Sequence, residues 1–179
     1  MLSNILILIV NTITALLTGA LLLRFWMQVV RVRPPNQLGQ FIFQITDWLV
    51  LPLRRVVPAT RGYDWASLIG AILVTMASAA IELGIRSAFS AHALFLLTLL
   101  HTVQWICYGL IALLIIEAIF SWVNPHAPLA PFVRALNEPL LGPLRRIVPL
   151  VGGIDLSPLV ALVMLQIVLY LAESLIRMG

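Results

Sequence analysis

The sequence contains no lysine, and all eleven of its basic residues are arginines. Charged residues of either sign are scarce, at 10% of the chain, and Cys107 is the single cysteine. One cysteine excludes an intrachain disulfide and a metal site built from cysteines. The sequence also lacks the spacings of a catalytic triad, a zinc site, a phosphate-binding loop or paired catalytic carboxylates, and it has no loop long enough for an enzyme domain. We therefore predict a protein that is not an enzyme and that uses no cofactor or metal.

Apolar residues are what the chain has in excess. They make up 61% of the 179 residues, and the mean hydropathy is +1.06. Both values lie far above those of soluble domains, so we predict an integral membrane protein. The isoelectric point is about 10.2, but the arginines flank the apolar runs, which is typical of membrane topology signals. We therefore predict no binding of nucleic acid.

A stretch of twenty residues occurs twice in the chain. When 91 is added to the residue number, Leu49–Leu68 aligns with Leu140–Leu159, and ten of the twenty positions are identical. Both copies contain the pattern P-L-R-R-[VI]-V-P, followed by G-x-D. We interpret this as an internal duplication, with one repeat over residues 1–90 and the other over 91–179.

Four apolar runs are long enough to cross a hydrocarbon core of about 30 Å at a helical rise of about 1.5 Å per residue. We expect an all-α polytopic protein with two transmembrane helices in each repeat. The first run is predicted to be a span rather than a cleaved signal peptide, because no positively charged segment precedes it. The expected spans cover roughly residues 4–28, 65–86, 93–122 and 159–176.

A short amphipathic helix is predicted before each arginine motif. Apolar residues recur there at helical spacing, and the segments are too short to cross a membrane, so we expect them to lie in its interface. In the first copy these residues include Phe41, Ile45 and Trp48, and in the second they include Phe132, Val133 and Leu136.

The motif itself is predicted to form one or two separate helical turns followed by a sharp reversal. We expect Pro52 to begin the turns, Pro58 to end them, Gly62 to reverse the chain and Asp64 to cap the next helix. The corresponding residues of the second copy are Pro143, Pro149, Gly153 and Asp155.

The distribution of arginines predicts the topology. Nine of the eleven lie in the two segments that carry the motif, 24–64 and 123–155. By the positive-inside rule, both motif segments are cytoplasmic and both chain termini face outward. We therefore expect a multi-pass protein of a bacterial inner (plasma) membrane, with a pseudo-two-fold axis along the membrane normal.

Two interpretations of the arginine pairs remain open. Arginines at the membrane surface can bind anionic lipid headgroups or a cytoplasmic partner, at about 1 kcal/mol for each residue. Alternatively, they set the topology and pair with Asp64 and Asp155 to hold the turn. The residues concerned are Arg54, Arg55, Arg145 and Arg146.

Ionisable residues inside the apolar runs are candidates for function, because a charge is costly at bilayer depth. Arg24 and Glu117 lie at similar predicted depths, so we expect a salt bridge between the first and third spans, with an ion or proton path as the alternative. Glu82 with Arg86, and Glu173 with Arg177, are expected to pair along their own helices.

Three polar residues fall on one face of the third span: His101, Gln104 and Tyr108. We favour a cluster of hydrogen bonds between helices. The alternative is an axial haem ligand, but His101 is the single histidine at membrane depth, so a bis-histidine site within one chain is not expected.

The doubled motif, each copy followed by an apolar run, resembles the YggT family of small membrane proteins, also called YlmG. The resemblance covers nearly the whole chain, and NEPLLGPLRRIVPLVGGIDLSPL in the second copy is the closer match. It implies roles in osmotic or ion homeostasis, a link to cell-division genes and, in plastids, membrane organisation and haem attachment to a b-type cytochrome. It implies no mechanism or catalytic residues.

The sequence therefore leaves two functions open. The preferred one is a membrane scaffold or assembly factor whose arginine motifs engage anionic lipid or a protein partner. The alternative is a small oligomeric channel, or another component of ion or osmotic homeostasis. Polar residues are scarce at the middle of the spans, which favours the scaffold.

Overall fold

The computed structural model describes residues 2–57, 62–149 and 155–178, and the side chains of 3–57, 62–149 and 155–175. These residues form six helices. They are α1 (Leu2–Val29), α2 (Asn36–Val56), α3 (Trp65–Ile85), α4 (Ala91–Val123), α5 (Ala130–Ile147) and α6 (Ser157–Met178). The expected all-helical fold is confirmed.

Four of these helices, α1, α3, α4 and α6, are long and apolar enough to cross a membrane. Their bounds lie within a few residues of the predicted ones, because apolar runs of this length leave little choice of where a span begins and ends. The third, α4, has 33 residues, more than a bilayer requires, as its apolar run predicts.

Each half of the chain has two of these apolar helices with a less apolar helix, α2 or α5, between them, and this intervening helix packs beside both. The prediction that the intervening helix is too short to cross a membrane is wrong for α2, which has 21 residues, as α3 has. Helix α1 packs on α3, and α4 packs on α6. The two halves meet where α4 packs against both α3 and α1. A cluster of buried side chains from α1, α2 and α5 shows that both intervening helices lie at the same end of the apolar ones: Met27, Ile42, Phe132, Val133 and Leu136. We call this end the motif end.

The arginine motif does not begin a separate helical turn, and the expected helix start at Pro52 is wrong. Helix α2 runs without a break from Asn36 through Pro52 to Val56, and α5 contains both Pro139 and Pro143. Proline removes one backbone donor, but packing continues past it, because Leu53 packs against the buried cluster that includes Val50. The fully buried residues of α2 lie before Pro52: Gly39, Ile42, Thr46 and Val50.

The turn from α1 into α2 closes on an arginine in left-handed backbone conformation. Arg31 has a φ of 59°, its N–H donates to the Gln28 carbonyl at 3.1 Å, and the Val32 N–H donates to the Met27 carbonyl at 2.9 Å. This is a Schellman helix end, where glycine is usually preferred. It brings the chain directly to Pro34 and Pro35, before α2.

Gly62 precedes α3 with a φ of 85°, which suits the chain reversal predicted there. Asp64 occupies the N-cap position of α3, and its backbone carbonyl accepts from the Ser67 N–H at 3.0 Å. Its side chain, however, does not cap the helix, because it binds other groups described below. Pro58 and Gly153 lie outside the described residues.

Candidate arginine-carboxylate site at the motif end

The first arginine of each motif binds the aspartate that follows it ten residues later. Arg54 donates through Nε and Nη2 to the two carboxylate oxygens of Asp64, at 3.2 and 2.5 Å. Arg145 donates through Nε to Asp155, at 2.9 Å. Each pair ties the last turn of α2 or α5 to the start of the next apolar helix, as the structural interpretation of the motif requires.

Asp64 is the most buried carboxylate of this group, since its side chain is 1% exposed. Burial by itself would raise its pKa, but hydrogen bonds from Arg54 and Ser67, together with the charges of Arg54 and Arg24, lower the pKa below its usual value. The Ser67 hydroxyl donates to Asp64 Oδ2 at 2.7 Å. Asp64 is therefore held as a carboxylate.

Arg24 joins the same network from α1. Its guanidinium is buried, and Nη1 donates to Thr46 Oγ1 at 2.7 Å and to Asp47 Oδ1 at 2.6 Å. Its Nε lies 3.5 Å from Asp64 Oδ2, which is an ion-pair distance rather than a good hydrogen bond. The guanidinium carbon also lies 4.8 Å from the centre of the Phe43 ring. Arg24 thus connects α1, α2 and the start of α3.

In the second half of the chain, Arg145 is the centre of the network. Besides Asp155, it donates to Glu138 at 3.0 Å and to Glu117 of α4 at 3.2 Å. Asp155 also accepts from the Ser157 N–H at 2.9 Å. Burial would raise the Asp155 pKa, but these hydrogen bonds from Ser157 and Arg145 and the charge of Arg145 lower it.

The expected salt bridge between Arg24 and Glu117 does not form. Arg24 pairs with Asp47 and Asp64, and Glu117 pairs with Arg145. The expectation was based on similar depth in the two spans. In the structure, Arg24 has a partner on α2 and Glu117 has a partner on α5.

Sequence reasoning missed Thr46, Asp47, Asn137 and Glu138 as members of these networks. Helical spacing predicts that Asp47 lies on the side of its helix away from Phe41, Ile45 and Trp48, and in the structure it pairs with Arg24 of α1. The available signal was the 91-residue offset, which aligns Thr46-Asp47 with Asn137-Glu138.

The second arginine of each motif differs from the first in its partners rather than in its exposure, since Arg145 is exposed as well. Arg55 and Arg146 are exposed, and within the described part of the chain neither forms a salt bridge. Both lie in the last turn of their helices, where a positive charge is favourable. Of the motif prolines, Pro52, Pro143 and Pro149 are exposed.

One of the three polar residues on the predicted face of the third span, Gln104, contacts another helix. Gln104 Nε2 donates to Glu173 Oε1 of α6 at 3.1 Å, and His101 is half-buried on the same face of α4. Arg86 pairs with Glu82 along α3, with Nη2 2.9 Å from the carboxylate. The side chain of Arg177 lies outside the described residues. Among the described residues, no group of three or more histidine, cysteine, aspartate or glutamate side chains could hold a metal ion.

The chain matches the family model described as CCB3/YggT in two segments, residues 3–84 and 96–176. It is 34% identical over 167 residues to a protein of Escherichia coli K12 named "Uncharacterized protein YggT", covering 92% of this chain and 87% of that protein. It is also 34% identical over 173 residues to a Vibrio alginolyticus protein named "Uncharacterized protein in proC 3'region", covering 94% and 93%. A Pseudomonas aeruginosa relative is 36% identical over 176 residues, covering 89% of this chain and 84% of the relative. No solved structure matches the chain.

Proposed function

This chain belongs to the CCB3/YggT family, and from that premise we propose that it is a non-enzymatic membrane scaffold or assembly factor whose motif end faces the cytoplasm and binds anionic lipid headgroups through Arg55 and Arg146. The observation that carries the proposal is the division of labour within each arginine pair. Arg54 and Arg145 are engaged by carboxylates of the same chain, whereas Arg55 and Arg146, which are both exposed, form no salt bridge among the described residues.

The surface around Arg55 supports an interfacial position for α2. Although α2 buries one face against the spans, it also exposes large apolar side chains, among them Phe41, Trp48 and Leu51. A helix with exposed apolar residues and a basic end is typical of a membrane interface, where tryptophan is also enriched. The guanidinium of Arg55 would then lie at headgroup level, where its flat fork can bind a phosphate with two hydrogen bonds.

The residue that follows Arg55 or Arg146 is an exposed aliphatic residue in both halves of the chain. Val56 is 80% exposed and Ile147 is 78% exposed. These residues correspond under the 91-residue offset, so each motif presents an exposed arginine next to an exposed aliphatic side chain. That combination suits the boundary between headgroup and acyl chain.

The channel interpretation has less support. The cavities of about 230 and 360 Å³ found among the described residues are lined almost wholly by apolar side chains and glycine, with Thr98 and Thr102 as the hydroxyl-bearing exceptions. Such surfaces offer few ligands to an ion that must give up its hydration shell.

Photo-crosslinking from the two exposed aliphatic positions tests the proposal in native membranes. A photoreactive residue at Val56 or Ile147 is expected to capture phospholipid, and replacing the neighbouring Arg55 or Arg146 with glutamine should reduce the anionic fraction of the captured lipid. A photoreactive residue at Ala88, near the opposite end of the spans, is the matched control. Capture of one defined protein in place of lipid would favour a protein partner and contradict the lipid proposal.

A further inference from the structure

Gln166 is a polar residue near the middle of α6 that lies on the outside of the protein. It comes nine residues after Ser157, where the helix begins, and so lies about 14 Å along the span at a helical rise of about 1.5 Å per residue. It is exposed and forms no hydrogen bond to any residue that the structure describes. An amide has donor hydrogens and an acceptor oxygen, and the hydrocarbon core of a membrane offers a partner to neither. Gln166 therefore lacks a polar partner within the described part of the chain.

Other amide side chains of the spans join one helix to another. Asn11 Oδ1 of α1 accepts from the Ser78 hydroxyl of α3 at 3.2 Å. Gln104 Nε2 of α4 donates to Glu173 Oε1 of α6 at 3.1 Å. Polar groups inside a membrane typically hydrogen-bond across a helix interface in this way. The position of Gln166 therefore indicates a helix interface that one copy of the chain does not complete.

Gln166 belongs to a row of exposed residues along α6. Spacings of four, three and four residues place the row on one face of the helix. Its other members, Leu159, Val163 and Tyr170, are 60%, 46% and 72% exposed. This spacing is typical of the seam between two helices that pack side by side, and one polar residue in such a seam can fix their register. We call Leu159, Val163, Gln166 and Tyr170 the α6 stripe.

Helix α3, which corresponds to α6 in the first half, has a neighbour that α6 lacks. Helix α3 packs on α1 and α2 of its own half and also on α4 of the other half. Helix α6 packs on α4 and α5 of its own half, and among the described residues it has no comparable packing with the first half. The 91-residue offset holds for the packing of these two helices, because buried Ala66 and Gly70 correspond to buried Ser157 and Ala161. One side of α6 is therefore open where α3 is covered.

The α6 stripe lies on this open side. Under the same offset, Gln166 corresponds to Thr75 and Tyr170 corresponds to Ala79, and both of these α3 residues are fully buried. The Thr75 hydroxyl donates to the Ala71 carbonyl of its own helix at 2.8 Å, so it needs no partner on another helix. The face that is buried in α3 is thus exposed in α6, where it carries an amide and a phenol that can bond to a second helix.

We propose that the α6 stripe is the contact surface between two copies of this chain, related by a two-fold axis along the membrane normal. Gln166 of one copy then hydrogen-bonds to Gln166 of the other. Two copies inserted with the same orientation place the same residue at the same depth, and an amide both donates and accepts, so an identical side chain satisfies it. A lipid tail offers no such group. The stripe includes neither Arg55 nor Arg146, so this proposal stands or falls separately from the lipid proposal.

Cysteine crosslinking of the full chain in native membranes tests the surface. In a Cys107→Ala background, Val163→Cys should crosslink to the same residue of a second copy on mild oxidation, because the stripe lies beside the two-fold axis. Val168→Cys is the matched control and should crosslink several-fold less. Val168 lies on the opposite face of α6, within about 5 Å of the depth of Gln166 as Val163 does, and the two valines are 45% and 46% exposed. Equal crosslinking at the two positions, or none at Val163→Cys, overturns the proposal.

Two further variants of the Val163→Cys chain test the role of the amide. Gln166→Leu removes the hydrogen-bonding groups and should reduce the dimer crosslink several-fold. Gln166→Asn keeps an amide and should retain more of the crosslink than Gln166→Leu. Because Gln166 is exposed and forms no hydrogen bond within the described chain, both variants should reach the parent's level in the membrane, which immunoblotting measures. Parent-level crosslinking by Gln166→Leu at equal membrane level overturns the proposal.

Other occupants of the α6 stripe would give different crosslinked products. If α6 packed instead on α1 of a second copy, Val163→Cys would crosslink to Ile13→Cys of a differently tagged copy in preference to Val163→Cys. Ile13 is 60% exposed on α1. If the occupant were a different membrane protein, the product would contain one copy of this chain and one of that protein. Either product in place of the symmetric dimer overturns the proposal.

Discussion

Arg54 Nη2 lies 2.5 Å from Asp64 Oδ2, and this contact fastens the end of α2 to the beginning of α3. Arg55, the next residue, is exposed. Two adjacent arginines thus have separate physical roles: Arg54 pairs with a buried carboxylate, whereas Arg55 forms no salt bridge among the described residues. The same difference in partners recurs at Arg145 and Arg146, although both of these arginines are exposed.

Arg54 and Arg55 should therefore differ in their effect on stability. Arg54→Gln leaves the buried carboxylate of Asp64 without its main partner, and we expect a loss of about 1–3 kcal/mol in the free energy of unfolding. Arg55→Gln, the matched control, should change it by less than about 0.5 kcal/mol. Thermal unfolding in detergent measures both. Equal losses in the two variants would contradict the assignment of Arg54 to the turn.

The lowered pKa of Asp64 predicts a pH dependence of defined sign. Because the folded state favours the carboxylate, its contribution to stability is complete above the usual pKa of 3.8 and is lost as pH falls below that value, through the folded pKa. The parent should therefore have a higher Tm than Asp64→Asn at neutral pH, and the difference should shrink in acid. A difference that stays constant down to the lowest pH measured would contradict this sign.

The pairing of Arg24 can be measured by a double-mutant cycle. Arg24→Gln and Asp47→Asn should be coupled by about 0.5–3 kcal/mol, because their side chains are in direct contact. Arg24→Gln and Glu117→Gln, on separate networks, should be additive within about 0.5 kcal/mol. Coupling between Arg24 and Glu117 in place of Asp47 would restore the salt bridge that depth alone suggested.

The spans, but not the networks, could be predicted from the sequence. The bounds of α1, α3, α4 and α6 follow from apolar runs, since a span needs a minimum number of apolar residues and ends where charge or proline appears. Which buried charges pair with each other depends instead on how α2 and α5 are rotated against the spans. Helical spacing placed Asp47 on the polar side of α2, but nothing local indicated that this side meets Arg24.

The arginine-aspartate pairs of the motif could be predicted from the sequence, but the path of its backbone could not. Pairing of Arg54 with Asp64 and of Arg145 with Asp155 was one of the two interpretations that the sequence left open, and the structure shows both pairs. Pro52 was expected to start a helix because proline is favourable there. One missing backbone donor is a smaller effect than the packing of α2 on both sides of Pro52, where Val50 is buried before it and Leu53 packs against the same cluster after it.

The orientation of the motif end is tested by cysteine accessibility. In a Cys107→Ala background, Gln37→Cys and His126→Cys should resist an impermeant thiol reagent in intact cells and react after permeabilisation, because the arginine-rich segments are expected inside. Both residues are exposed in the fold, so protection would come from the membrane. Ala88→Cys, near the opposite end, should react in intact cells. Labelling of Gln37→Cys from outside would reverse the topology.

The central claim, that Arg55 and Arg146 bind anionic headgroups, is tested most directly by counting bound lipids. Native mass spectrometry of the protein released from phosphatidylglycerol-containing nanodiscs should show fewer retained phosphatidylglycerol molecules for the Arg55→Gln, Arg146→Gln pair than for the parent. The corresponding lysine pair should fall between them, since it keeps the charge and loses the bidentate fork. Arg86→Gln, an arginine at the opposite end, should match the parent. Parent-level retention by the glutamine pair would contradict the claim.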